Sequence, residues 1–159
     1  MRILAVDYGD ARTGLALCDS RETLASPLGV IREKNIERVV AHIAAAVQQH
    51  GAGCVVVGLP VNMNGTEGPR AEKCRRVAAR IGEALPGIPV ELYDERQTTQ
   101  SAMVYMNATD TRGKKRKAQL DEAAAAIILE GFLAYRRNTG LRLEETGPTD
   151  GGAGGGQTE

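Results

Sequence analysis

The stretch Ile3-Leu4-Ala5-Val6-Asp7-Tyr8-Gly9-Asp10-Ala11-Arg12-Thr13-Gly14-Leu15-Ala16-Leu17-Cys18 decides the fold. Its first four residues form an unbroken apolar run. That is the pattern of a central strand covered on both faces, where polar alternation is lost because neither face meets water. The run stops at Asp7, Gly9 to Arg12 supply a turn, and Thr13 to Cys18 return as a second strand. Leu28 to Ile31 read as a third, shorter strand, so the chain opens as an antiparallel meander.

Downstream the period changes. From Asn35, a suitable N-cap, apolar residues recur at Ile36, Val39, Val40, Ile43, Ala44 and Val47, and Gly51 closes the helix. Cys54 to Val57 form another buried strand ending at Gly58, a loop runs from Leu59 to Gly68, and Pro69 fits the first turn of a helix reaching about Leu85. Pro89 to Tyr93 read as a fifth strand, and Thr98 caps a short helix to about Met106. A basic loop, Asp110 to Lys117, leads into a last helix from Ala118 to about Arg137. The order predicts an α/β fold: a mixed five-stranded sheet, three antiparallel strands then parallel ones, with helices on both faces.

The chain has 159 residues, of which 42% are hydrophobic and only 3% aromatic. One domain over residues 3–140 is expected, followed at 146–159 by a Gly-rich tail that carries too little apolar surface to order itself. A core of Ala, Val, Leu and Ile argues against a base-stacking platform, which needs exposed aromatics. The formal charge is zero, yet every Lys and Arg lies at or before Arg142 while Glu144, Glu145, Asp150 and Glu159 follow it. Residues 1–143 therefore carry a net +4, a lean toward a polyanionic partner. Cys18, Cys54 and Cys74 lack metal-ligand spacing, and their odd number argues against a disulfide framework. No signal peptide is read, and the longest apolar run, Ala123 to Leu129, falls far short of a bilayer span. A cytoplasmic protein, monomeric or weakly dimeric and without membrane contact, is expected.

In an open α/β sheet, ligands bind beyond the carboxyl ends of the parallel strands. Asp7 stands at such an end, and so do Asp94 and Glu95. Asp121 shares a helical stripe with Ala124, Ala125, Ile128 and Phe132, an apolar face on which a carboxylate is costly unless paired or bound to a metal. A first-turn acid that complements the helix dipole is the plainer reading of Asp121, and a surface turn that of Asp94-Glu95-Arg96. Three carboxylates converging on one edge make a hard-oxygen site suited to Mg²⁺ or Mn²⁺. Neither His42 nor His50 has a nucleophile or metal partner by spacing, and no Gly-rich lysine loop is present. Arg112, Lys114, Lys115, Arg116 and Lys117 put five cations in six positions, a candidate phosphate-contacting loop. Arg12, Arg96, Asn62 and Asn64 are further candidates for substrate contact at the same edge. The basic residues of the second helix, Arg70 among them, read as an ordinary wet face.

Four segments carry a family resemblance: Val6-Asp7-Tyr8-Gly9 through Arg12-Thr13-Gly14-Leu15-Ala16, Val57-Gly58-Leu59-Pro60-Val61-Asn62-Met63-Asn64-Gly65, Tyr93-Asp94-Glu95-Arg96-Gln97-Thr98-Thr99, and Asp121-Glu122-Ala123-Ala124-Ala125. In this order, over residues 3 to about 135, they closely resemble the YqgF family, also called RuvX, of Holliday-junction-resolvase-like nucleases. The resemblance implies a ribonuclease H-like fold, a divalent-metal nuclease, and a role in maturing the 5′ end of precursor 16S ribosomal RNA. It also implies Asp7, Glu95 and Asp121 as the catalytic and metal-binding acids. Resolvases and ribonucleases H usually place an acid at the end of the fourth strand, where this chain has Gly58-Leu59-Pro60; the missing ligand must come from Glu95 or Asp94, one strand over.

Two other readings compete: a resolvase of four-way DNA, and a non-catalytic nucleic-acid-binding factor for ribosome assembly. Sugar-kinase and actin-like ATPases share the strand order, but they enclose their nucleotide between two such lobes and this chain supplies one.

Overall fold

The computed structural model describes residues 1–97 and 113–140, with side chains described at 1–96 and 123–140. Five strands, β1 (Ile3–Asp7), β2 (Thr13–Cys18), β3 (Ala25–Ile31), β4 (Cys54–Leu59) and β5 (Val90–Asp94), form one sheet in the order β3-β2-β1-β4-β5. The pairs β1–β2 and β2–β3 are antiparallel, and β1–β4 and β4–β5 are parallel. Among the described residues the helices are α1 (Ile36–His50), α2 (Pro69–Ala84) and α3 (Gly113–Thr139), and a 3-10 turn, Glu95–Gln97, follows β5. The mixed sheet expected from the sequence is present.

Alternation along the central strands assigns each face a cover. Leu4, Val6, Val55 and Val57 pack with Val39, Ile43, Val77 and Ile81 of α1 and α2. Ile3, Ala5, Val56 and Tyr93 pack with Ala125, Ile128, Leu129 and Phe132 of α3. Asn35 caps α1 as expected, its side chain accepting from the Arg38 N–H at 3.1 Å, and Gly51 ends the helix in the left-handed conformation at φ 67°.

Two boundaries differ from expectation by three residues or more. The third strand begins at Ala25 rather than Leu28, because Pro27 and Gly29 sit on an edge strand, where a missing N–H breaks no ladder. Leu28 is the extra residue of a bulge between Gly29, opposite Leu15, and Pro27, opposite Ala16. The expected loop over Asp110–Lys117 is also corrected: Gly113 to Lys117 are helical and open α3. Lys and Arg are good helix formers, and charge density alone does not unwind a helix. Ala124 is only half-buried, so the stripe of α3 centres on Ala125, Leu129 and Phe132. The expected short helix from Thr98 and the tail at 146–159 lie outside the described residues.

Candidate active site

Asp7 ends β1, two residues after Ala5, so alternation turns it toward α3. Val6 lies beside Val57, and Gly58 beside Tyr93, so the ends of β1, β4 and β5 form one edge. Gly58 is where the edge is built. A Cβ there would stand 2.5 Å from Ile128 Cδ1 and 2.9 Å from Glu95 Oε2, both closer than a real Cβ tolerates. The Glu95 carboxylate thus occupies the space above β4 that a side chain at Gly58 would need. α3 uses a second glycine for the same close approach, since a Cβ at Gly131 would meet the Tyr93 hydroxyl at 2.7 Å.

The two adjacent acids after β5 have different surroundings. Asp94 is gripped by Arg96, whose Nη2 donates at 2.8 Å and whose backbone N–H donates at 2.9 Å. The Arg96 hydrogen bond is the main reason that the Asp94 carboxyl lies below its ordinary range. Glu95 is pushed the other way. Burial raises its carboxyl most, the Asp7 charge raises it further, Arg70 pulls it back, and Asp94 adds a smaller upward push. The structure therefore brings Asp7 and Glu95 together and ties Asp94 to Arg96.

Asp121 lies in α3, two turns before Ile128, or about 10 Å along the axis. Because Ile128 lies at the end of β4 and Arg136 reaches Glu22 beyond the end of β2, α3 runs away from the Asp7 edge. Asp121 is thus on the edge side of Ile128, although its side chain is outside the described residues. The backbones of Lys114, Lys115, Arg116 and Lys117 fall in the first turns of α3, and Arg112 is outside the described residues.

Arg12 is exposed in the β1–β2 turn, which needs glycine at Gly9 because a Cβ there would run into the Arg12 carbonyl. The loop after β4 is held by its own side chains. Asn62 Nδ2 donates to Thr66 Oγ1 at 2.9 Å, and Asn64 Oδ1 accepts from the Thr66 hydroxyl at 2.7 Å. Both asparagines thus shape the turn as well as facing solvent. Arg96 Nη1 donates to the Asn62 carbonyl at 3.4 Å, which fastens this loop beside the 3-10 turn.

Arg70, which by sequence belongs to a basic helix face that reads as wet or as a second surface for substrate, lies at this edge. It stands in the first turn of α2, and its Nη2 donates to the Tyr8 carbonyl at 3.2 Å, one residue past Asp7. One signal was legible: a cation in a helix's first turn opposes the dipole and calls for a nearby negative charge. Cys18, Cys54 and Cys74 are buried thiols outside any disulfide, in line with their odd number. Burial foremost lifts the Cys74 thiol to about 11. No described helix is long and apolar enough to cross a membrane.

A family model described as "RuvX: Holliday junction resolvase" matches residues 1–135. A "Putative pre-16S rRNA nuclease" of Chloroflexus aurantiacus is 41% identical over 143 residues, covering 90% of this chain and 93% of the relative. One of the same name from Pelotomaculum thermopropionicum is 44% identical, covering 84% and 86%. Among solved structures, T. thermophilus RuvC in complex with Holliday junction substrate aligns with a TM-score of 0.61 at 17% identity, covering 88% of this chain and 96% of RuvC. The fold is ribonuclease H-like, as the sequence implied.

Proposed function

The chain belongs to the RuvX family, and from that premise we propose that it is a divalent-metal-dependent nuclease acting in the 5′-end maturation of precursor 16S ribosomal RNA. The observation that carries the reading is the Glu95 carboxylate in the space above Gly58, on the edge that Asp7 ends. An acid displaced by one strand thereby supplies the oxygen donors that β4 does not.

The donor set fits Mg²⁺ or Mn²⁺, since two carboxylates are drawn together against their mutual repulsion beside a cradle that a Cβ would fill. Asp7, Glu95 and Asp121 would hold the metal, which when bound activates a water molecule and stabilises the leaving oxygen. The protein's own part is to fix those oxygens: Asp7 by the β1 ladder, Glu95 by the 3-10 turn, Asp121 by α3. Arg96 keeps Asp94 out of the set by neutralising it. Arg112, Lys114, Lys115, Arg116 and Lys117 would hold the substrate backbone, with Arg12, Asn62 and Asn64 nearer the strand ends. Residues 3–140 would act as one nuclease unit.

The second substrate to test is four-way DNA, which the description of the family model favours. Labelled precursor 16S RNA and a four-way DNA junction are incubated side by side with Mg²⁺ and with Mn²⁺. Cleavage of the RNA with either ion is the expected result. Cleavage of the junction alone replaces the substrate. No cleavage of either overturns the nuclease reading in favour of a binding factor.

A further inference from the structure

Helix α2 carries Arg70, Lys73, Arg75, Arg76 and Arg80. Three of them meet acids. Lys73 pairs with Asp10 at 3.0 Å, Arg75 makes two 2.7 Å hydrogen bonds to Glu67, and Arg80 bridges Glu37 and Glu83. Arg70 is placed differently. Its hydrogen bond goes to a backbone carbonyl, that of Tyr8, 62 positions away in sequence and one residue past Asp7. Among the described residues this carbonyl is its only hydrogen-bond partner.

A guanidinium has five N–H donors in a planar fork, and one contact to Tyr8 leaves most of them available. Local helix stability does not explain the position, because the first turn of a helix disfavours a cation. The fork matches one ligand chemistry well, the paired oxygens of a phosphate. We propose that Arg70 binds a phosphate of the nucleic-acid backbone at the edge shared by Asp7 and Glu95. The proposal rests on the nuclease reading, which brings the substrate backbone to this edge. Arg70 offsets the negative charge that would otherwise repel the phosphate there, and its tether to Tyr8 fixes where the phosphate lies relative to Asp7.

The test uses the full chain and three variants: Arg70→Gln, Arg70→Lys, and Arg80→Gln as a charge-matched change on the same helix. Each is titrated with a labelled fragment of precursor 16S RNA in Ca²⁺ over a range of salt, and each is melted. Arg70→Gln should weaken binding about tenfold and flatten the log–log salt slope by roughly 0.7 to 0.9, the loss of one phosphate contact. Arg70→Lys should keep the slope and recover part of the affinity, and Arg80→Gln should match the parent. If Arg70→Gln behaves like Arg80→Gln, or if both Arg70 variants melt far below the parent, the residue is a tether for the Tyr8 turn and the proposal fails. Cleavage in Mg²⁺ separates this from the parent reading. A parent that binds through Arg70 yet cleaves nothing refutes the nuclease and keeps the phosphate site. A parent that cleaves, with Arg70→Gln binding and cleaving normally, does the reverse.

Discussion

The two ends of the central sheet handle buried charge in opposite ways. Beyond the N-terminal end of β1, Glu22 lies between two cations: Arg136, 2.8 Å away with 4% of its surface exposed, and the Met1 ammonium, 3.1 Å away. Burial by itself would raise the Glu22 carboxyl, but hydrogen bonds from Arg136 and the ammonium, with their charges, outweigh it and hold the group below its ordinary range. Glu22 even sits at a φ of 59°, a backbone conformation that costs a non-glycine residue about 1–2 kcal/mol. At the other end, Glu95 is raised, by burial first and by Asp7 next. One end joins unlike charges and fastens α3 to the β2–β3 turn. The other brings like charges together, which favours a cation or a proton between them. Charge is organised for stability at the first end and, on the proposed function, for chemistry at the second.

The largest expected effect tests that division at the Asp7 edge. Asp7→Asn should reduce cleavage at least a thousandfold, on the order of 4 kcal/mol in the barrier, while RNA binding stays intact or tightens. Glu95→Gln should behave similarly, and Asp94→Asn should be much milder, since Asp94 already faces Arg96. Rate and binding measurements on the three variants decide it. An Asp94 variant more damaged than the Glu95 one would reverse the ligand assignment, and an Asp7 variant that cleaves normally would remove the site.

Next in size is the opposite end. Arg136→Met should cost roughly 3 kcal/mol of folding stability, because it leaves a buried carboxylate with only the ammonium to offset it. The folded Glu22 carboxyl is depressed, so its contribution is complete near neutral pH and is lost as the pH falls through the folded value. Urea unfolding of parent and variant at about pH 7 and about pH 4 should therefore show the gap narrowing in acid. A gap that is constant or widens means that Arg136 acts through its packing over the Phe132 ring, 5.9 Å away, rather than through Glu22.

This second end was not legible in the sequence. Glu22 and Arg136 are 114 positions apart, lie in segments that read as a turn and a helix end, and show no spacing signal. The Asp7 edge was legible because topology made it so: the apolar runs of β1 and β4 fixed two parallel central strands, and parallel strands gather their carboxyl ends. The acids after the fifth strand were placed on that edge for the same reason, but the choice between Asp94 and Glu95 was not. It depends on which neighbour Arg96 takes and on the missing Cβ at Gly58, and both are properties of packing. The start of α3 is hidden for a related reason, since five cations in six positions resemble a solvated loop when nothing shows what the helix continues into.

The smallest effect concerns another polar group at the Asp7 edge. Thr13 opens β2, one residue before the Gly14 that pairs with Asp7, and it is fully buried. Leu15, two residues on, packs into the cluster formed by α1 and α2, so alternation puts the Thr13 side chain on that apolar side of the sheet. Among the described residues its hydroxyl has no hydrogen-bond partner. A buried hydroxyl without one costs about 1–3 kcal/mol, and a methyl group of the same shape removes that cost. Thr13→Val should therefore stabilise the fold by about 1 kcal/mol, a rise of roughly 2–4 °C in melting temperature. Cleavage should be unchanged, because Thr13 and Asp7 face opposite sides of the sheet. A variant that melts lower would show that the hydroxyl is satisfied in solution, and the contrast between the two ends would then rest on Asp7 and Glu95 alone.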